Sequence, residues 1–447
     1  MARIARRVGK VLLYALLAVV VLVTAVVIAH QTTLYRATSP QQGYLALTGA
    51  TVLAGHDLDP LENATVLIED GVIVDAGSQV DVPSGATVLD LAGYTVLPGL
   101  MDLHVHLGTE RDYGQDVGPL QMPGVIFDSM RFNPNSRRGF LEAGVTTIRS
   151  LGNEHEWVTD LRAQVRDGKL EGPRVFAAGP VFTTRGGHPV ATIFGGRVVG
   201  DTQVPDSPQE ARDAVHRLAT GDRAVDVIKV VQERGRQGRT LEPIPADVLE
   251  AIVDEAHEHG LPVTAHWGTT EDLTDVLAAG VDGLEHVGRL PGGWPDDALA
   301  TVVGEGIPVA PTLAVTEVGA PADGFEQMLR RTSDMHRAGA HIVVGSDAGM
   351  PGVPFGGGVH RELELLVKAG LTPREALQAA TSNAAAALGA TDIGVIEPGR
   401  AADILVVDGD PLAAIDDIGN VMLVLRDGRQ VVDNRGAAEG RVAQPQM

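Results

Sequence analysis

The chain has 447 residues, room for one large barrel or roughly two to three ordinary domains. A net charge of −23 argues against a nucleic-acid partner, whose phosphates would be repelled, and 44% hydrophobic with 21% charged residues excludes wholesale disorder. Cysteine is absent, which excludes disulfides, thiolate metal sites and a cysteine nucleophile together, so any metal must sit on His, Asp, Glu or a modified Lys.

Residues 1–30 stand apart. Arg3, Arg6, Arg7 and Lys10 precede Val11–Ala29, a run of nineteen residues without a charge. As a helix this run would be about 28 Å long, close to the hydrocarbon thickness of a bilayer. The basic flank predicts a transmembrane helix through residues 11–29, with the N-terminus in the cytoplasm and the rest of the chain outside it at the cell membrane. Cleavage after Val27-Ile28-Ala29 would make the chain secreted instead. Residues 31–43 read as a short polar linker.

Short β-type runs follow within 44–98: Leu45–Val52, Ala64–Ile68, Val72–Asp75, Thr87–Leu91 and Tyr94–Leu97, separated by Asp70-Gly71, Pro83-Ser84-Gly85 and Ala92-Gly93. Similar runs recur within 386–440, at Ala402–Val407, Val421–Leu425 and Gln430–Val432. Two β-rich ends around a different middle predict one composite β-sandwich built from both, with 441–447 as a tail.

The middle, 99–385, repeats a unit in which a helix-like segment ends in Gly, an apolar run follows, and a polar residue comes next. Gly144 leads to Ser150, Gly260 to His266, Gly280 to His286 and Gly306 to Thr312; a longer copy leads from Gly339 to Asp347. Gly just past a helix is a stop signal, and alternating helices and apolar strands indicate parallel βα units. The length fits an α/β fold of the (β/α)8 TIM-barrel type, in which functional residues gather at the C-terminal ends of the strands. The polar residues of the repeat fall there.

His104 and His106 lie two apart in Gly99-Leu-Met-Asp-Leu-His-Val-His106, so in a strand they share a face and can bind one ion. Barrel closure would bring His266, His286 and Asp347 near them. Lys229 is one of only four lysines and sits in the apolar run Ala224–Val231. Burying an unpaired ammonium is costly, and desolvation favours the neutral amine. A neutral amine can take up carbon dioxide as a carbamate that bridges two cations; the alternative is a buried ion pair with Asp347.

The motifs GLMDLHVH, EAGVTTIRSLG, DVIK, VTAH, GVDGLEH, VAPTL and GSDAG occur in order, followed by ELELLVKAGLTPREALQAATSNAAAALG and GVIEPGRAADILVVDGDPL. Over roughly residues 45–435 the sequence resembles the amidohydrolase superfamily, in its prolidase-like and imidazolonepropionase-like branch. The resemblance implies two divalent ions, zinc being the expected metal. His104, His106 and Asp347 would hold one, His266 and His286 the other, with carboxylated Lys229 bridging. It also implies attack by a metal-bridging hydroxide on an amide bond of dipeptide or N-acyl amino acid type, with Asp347 moving the proton. Asp102 and Glu285 are candidates for bracing the ligands.

His188, in a Gly-Gly-His segment typical of that branch, is a candidate for touching substrate or its oxyanion. Arg149, Arg185 and Arg234 are candidates for a substrate carboxylate, since a guanidinium offers a bidentate fork. His257, His259, His336, His341 and His360 read as surface or helix residues. The sequence departs from the branch after Lys229, where Val230-Val-Gln-Glu-Arg234 replaces a Ser-Gly-Gly segment, at Trp267-Gly268, and at Phe355, where His is common. These changes touch the substrate side. The rival readings are a lactonase or phosphotriesterase on the same site and a non-catalytic, membrane-anchored metal-binding protein. A small-molecule substrate is expected, and a homo-oligomer is left open.

Overall fold

The computed structural model describes residues 2–33, 35–38, 42–107, 134–236, 238–288 and 293–436; the 441–447 tail lies outside them. Parallel strands form the centre. Leu100–Val105, Val145–Ser150 and Ile228–Gln232 are buried at every position, as expected of apolar runs covered on both faces. Leu100–Val105 pairs with Val145–Ser150, which pairs with Arg174–Ala177. The ring continues through Asp226 N, which donates to the Ala177 carbonyl, and through the pairing of Val230 with Phe182. Ile228–Gln232, Val263–Trp267, Gly283–Glu285 and Val309–Ala310 follow side by side. Val309 bridges Ile342, Leu103 N donates to the Val344 carbonyl, and Val105 bridges Ala348, so the last segment returns to the first and the barrel closes.

The outer helices carry the local signals that start and stop them. Ser207 caps Pro208–Ala219, and Thr269 with Asp272 forms a capping box on Thr270–Ala278. Gly339 ends Ala322–Ala338 at φ 85, a left-handed stop that glycine adopts without penalty. Gly144 combines such a turn with a close approach: a Cβ there would come within 2.7 Å of the Leu405 side chain. The junction between the barrel and the second sheet therefore depends on that glycine.

That second sheet has eight strands and draws on both ends of the chain. Its order is Arg429–Asp433, Val421–Arg426, Ile404–Asp408, Tyr94–Pro98, Tyr44–Ala54, Asp59–Glu69 and Val72–Gly77, with Thr87–Asp90 also on Tyr44–Ala54. The ends meet where Tyr94–Pro98 runs antiparallel to Ile404–Asp408. Instead of two separate sheets, one curled sheet returns on itself: Val72 bridges Ala401 and Ile73 N donates to the Arg400 carbonyl. Leu47, Val66, Ile73, Val96, Val406 and Leu423 are buried within the curl.

The N-terminal expectation requires correction. Residues Ala2–Thr33 form a helix, yet among the described residues no helix is long and apolar enough to cross a membrane. The transmembrane helix through residues 11–29, and the single-pass cell-membrane localisation built on it, are therefore withdrawn. The polar linker is also shorter than expected, because the helix runs to Thr33. Tyr35 then docks on the barrel, its carbonyl accepting from Glu171 N at 2.9 Å and its ring under the Arg138 guanidinium.

Candidate metal centre

The C-terminal ends of the barrel strands bring together His104, His106, His266, His286 and Asp347, with His188 beside them; Lys229, the second residue of Ile228–Gln232, lies within electrostatic reach of Asp347 and His104. His104 points into the barrel and is 1% exposed. Its Nδ1 meets Glu285 Oε2 at 2.7 Å. The other Glu285 oxygen accepts from Arg149 Nη2 at 2.6 Å and from the Thr264 hydroxyl at 2.5 Å. Arg149 Nε donates in turn to the Leu103 carbonyl at 2.7 Å, which ties the brace back to the His104 strand.

Asp347 lies in the last barrel segment at φ 59, its N–H donating to the His104 carbonyl at 2.8 Å. This turn aims Oδ1 at His106 Nε2, 3.3 Å away, and at His104 Nε2, 3.6 Å away. His286 stands at φ 68, its Nδ1 2.6 Å from the hydroxyl of Thr312, itself at φ 52. Non-glycine residues persist in this sparsely populated region where the surrounding structure over-determines them, and three of them meet here. Ring centroids run from His106 to His104 (5.3 Å), to His286 (4.7 Å), to His266 (4.6 Å) and to His188 (5.2 Å).

Two buried polar atoms here lack a hydrogen-bond partner: Lys229 Nζ and Asp347 Oδ1. A buried unpaired ammonium is costly, and a donor set of imidazoles with a lone carboxylate oxygen is one that divalent cations favour. With Nδ1 of His104 and His286 already engaged, each presents Nε2 as its free nitrogen. His104, His106 and Asp347 place one donor atom each within 4.8 Å of one another. The residues fit a metal.

The electrostatics agree. Burial, then the Lys229 charge, pushes His104 down to about 4, and burial with the facing histidines holds His286 well below the usual imidazole range. His188 falls to about 3 through burial and the charge of His266. Neutral imidazoles are the form that binds metal. Burial also pushes Lys229 down to about 8. For Asp347 burial alone would raise the pKa, but His104, His106 and Lys229 overcome it and hold the carboxyl well below its ordinary range. Burial pushes Asp102 up to about 7, although its oxygens accept from Ser346 N and Oγ at 2.8 and 2.5 Å.

Residues 95–431 match the amidohydrolase family. The chain belongs to it. Ochratoxinase of Aspergillus niger is 28% identical over 421 residues, covering 84% of each chain. Imidazolonepropionase of Deinococcus deserti is 28% identical over 384 residues, 79% of this chain and 88% of its own. A solved Xaa-Pro dipeptidase with bound methionine superposes with a TM-score of 0.74 at 25% identity, covering 87% of this chain and 99% of that one. This amidohydrolase is a metal-dependent hydrolase of carbon–nitrogen bonds acting on a small molecule.

The candidate arginines fall in different places. Arg149 is buried and its fork is committed to Glu285 and Leu103. Arg234 is committed to Asp272 and Asp275, both at 2.6 Å. Arg185 is 64% exposed and 4.0 Å from Asp206. His188 Nδ1 lies 2.5 Å from the Thr192 hydroxyl. Phe355 packs on Phe140 in the core, and Trp267 packs against Trp294 at a tilt of 55°.

Three contributors escaped sequence reasoning. Glu233 is 6% exposed, with Oε2 3.4 Å from His266 Nε2. Strand alternation was the available signal, since Glu233 shares the Lys229 face. Glu362 is fully buried and accepts from Leu313 N and Ala314 N at 2.9 and 2.7 Å, fixing the turn that holds Thr312 against His286. Thr312 itself was seen only as a repeat position. The partners of Glu362 and Thr312 lie far along the chain, and no local pattern marks them.

Proposed function

We propose that this amidohydrolase is a binuclear enzyme that cleaves the amide bond of a dipeptide or an N-acyl amino acid. The observation that carries the reading is Lys229 Nζ, buried without a partner within electrostatic reach of His104, His286 and Asp347. A carbamate on Lys229 would give such a site an anionic ligand to share between two cations. His104, His106 and Asp347 would hold one ion and His266 with His286 the other. Zinc suits the imidazole-rich, sulfur-free set. Bound there, the ions supply Lewis acidity toward the carbonyl and a water of lowered pKa.

The chain's own groups do the rest. Asp347 accepts the proton of the attacking water and returns it to the leaving nitrogen. Glu285, gripped by Arg149 and Thr264, keeps the His104 ring oriented. His188, with Nδ1 engaged by Thr192, offers Nε2 to the substrate carbonyl oxygen. Arg185 is the candidate for the substrate carboxylate, because the forks of Arg149 and Arg234 are already committed. The relatives' names support the substrate class: the Xaa-Pro dipeptidase structure holds an amino acid in its active site.

A hydrolysis screen of metal-loaded protein against dipeptides and N-acyl amino acids, with lactones and phosphotriesters as controls, tests the proposal. Turnover of amides with a free carboxylate is expected, weakened chiefly in KM by Arg185→Ala. Turnover of lactones or phosphotriesters alone would overturn it.

A further inference from the structure

A second group of metal-ligating side chains lies on the outside of the barrel. His216 stands in the last turn of Pro208–Ala219, Glu255 in the last turn of Ala246–Glu258, and His259 caps that second helix. His216 Nδ1 is 3.1 Å from His259 Nε2; His259 Nε2 is 3.2 Å and His216 Nδ1 is 3.8 Å from Glu255 Oε1. Three donor atoms from two helices thus form a closed triangle.

Hydrogen bonding accounts for only part of that triangle. A neutral imidazole carries one N–H, and His259 Nε2 faces both a carboxylate oxygen and another ring nitrogen. Either His259 shares that N–H between the two, or His216 donates to it and the 3.2 Å contact with Glu255 sets acceptor against acceptor; the 3.8 Å from His216 Nδ1 to Glu255 is too long for a hydrogen bond. A single cation between the three atoms satisfies all the contacts at once. Tetrahedral zinc, bound at about 2.0–2.1 Å, keeps its donor atoms roughly 3.3 Å apart, close to the separations here.

The surroundings favour a cation as well. Two helix C-termini converge, each carrying the negative end of its dipole. The nearby Arg212 lies 3.8 Å from the other oxygen of Glu255 and 3.2 Å from Asp254, which leaves Oε1 available.

We propose that His216, Glu255 and His259 form a peripheral site for a divalent ion of the zinc type, with a fourth position open to water. The site clamps the helices that precede and follow Ile228–Gln232, the strand bearing Lys229. It does not depend on the chemistry assigned to the barrel mouth.

The test uses full-length protein saturated with zinc. Crystals measured on both sides of the zinc absorption edge should show an anomalous peak bounded by these three side chains. Bulk metal analysis should show one zinc equivalent fewer in His216→Ala than in the wild type, with hydrolytic turnover unchanged. Glu255→Gln, which keeps a hydrogen-bonding oxygen but loses the charge, should weaken the peripheral affinity at least tenfold. No anomalous peak at saturating zinc, or equal zinc content in the wild type and His216→Ala, would overturn the proposal.

Discussion

The imidazoles at the barrel mouth and those at the ends of the outer helices differ in what stands behind them. At the mouth, His104 is held from the rear by Glu285, which Arg149 and Thr264 hold in turn, and His286 is held by Thr312. On the outside, His216 is 60% exposed, and the three donors chiefly meet one another. A site that keeps its ions fixed while a substrate reacts needs braced ligands; a clamp between helices needs only convergence. The difference lies in the layer behind the ligands, since both clusters combine imidazoles with a carboxylate.

The largest expected effect that sharpens this contrast comes from Lys229→Ala, which should reduce hydrolysis to background and remove the two-ion stoichiometry at the mouth. Lys229→Arg should fail as well, because a guanidinium stays protonated and cannot be carboxylated. Asp347→Asn should lower kcat by roughly 10²–10⁴-fold with a much smaller change in substrate binding, measured by steady-state kinetics. Glu285→Gln, acting one layer back, should cost roughly 10–100-fold in metal affinity or activity, measured by metal titration and initial rates.

A smaller effect should appear in stability. Burial pushes the Glu362 carboxyl from 4.5 up to about 8, so the folded chain holds this proton more tightly than the unfolded one. The stabilisation is full below about pH 4.5 and is lost as pH rises toward about 8. Thermal midpoints of metal-free protein should decline across that window, and Glu362→Gln should flatten the slope. An equal decline in the variant would remove Glu362 as its source.

Much of this was legible in the chain. The alternation of His104 and His106 and the Gly-to-polar spacing that ends in His266, His286 and Asp347 are local patterns, because strand geometry imposes them. Lys229 stood out as a charge within an apolar run. The bracing layer was not legible in the same way. Arg149 resembles a substrate-binding arginine until Glu285, 136 residues away, is seen to occupy it. Thr312 and Glu362 act through a left-handed turn and a buried cap that only the closed barrel creates. The β-runs of both chain ends and their union were readable, but the return of the shared sheet on itself depends on the bridge of Val72 to Ala401.

The central claim is that Lys229 carries a carbamate between two ions. A high-resolution crystal structure of active, metal-loaded enzyme prepared with bicarbonate tests it directly. The account predicts planar extra density on Nζ, with one oxygen directed to each of two ions per barrel. An unmodified Lys229 paired with an acid, in fully metallated and active enzyme, would contradict it.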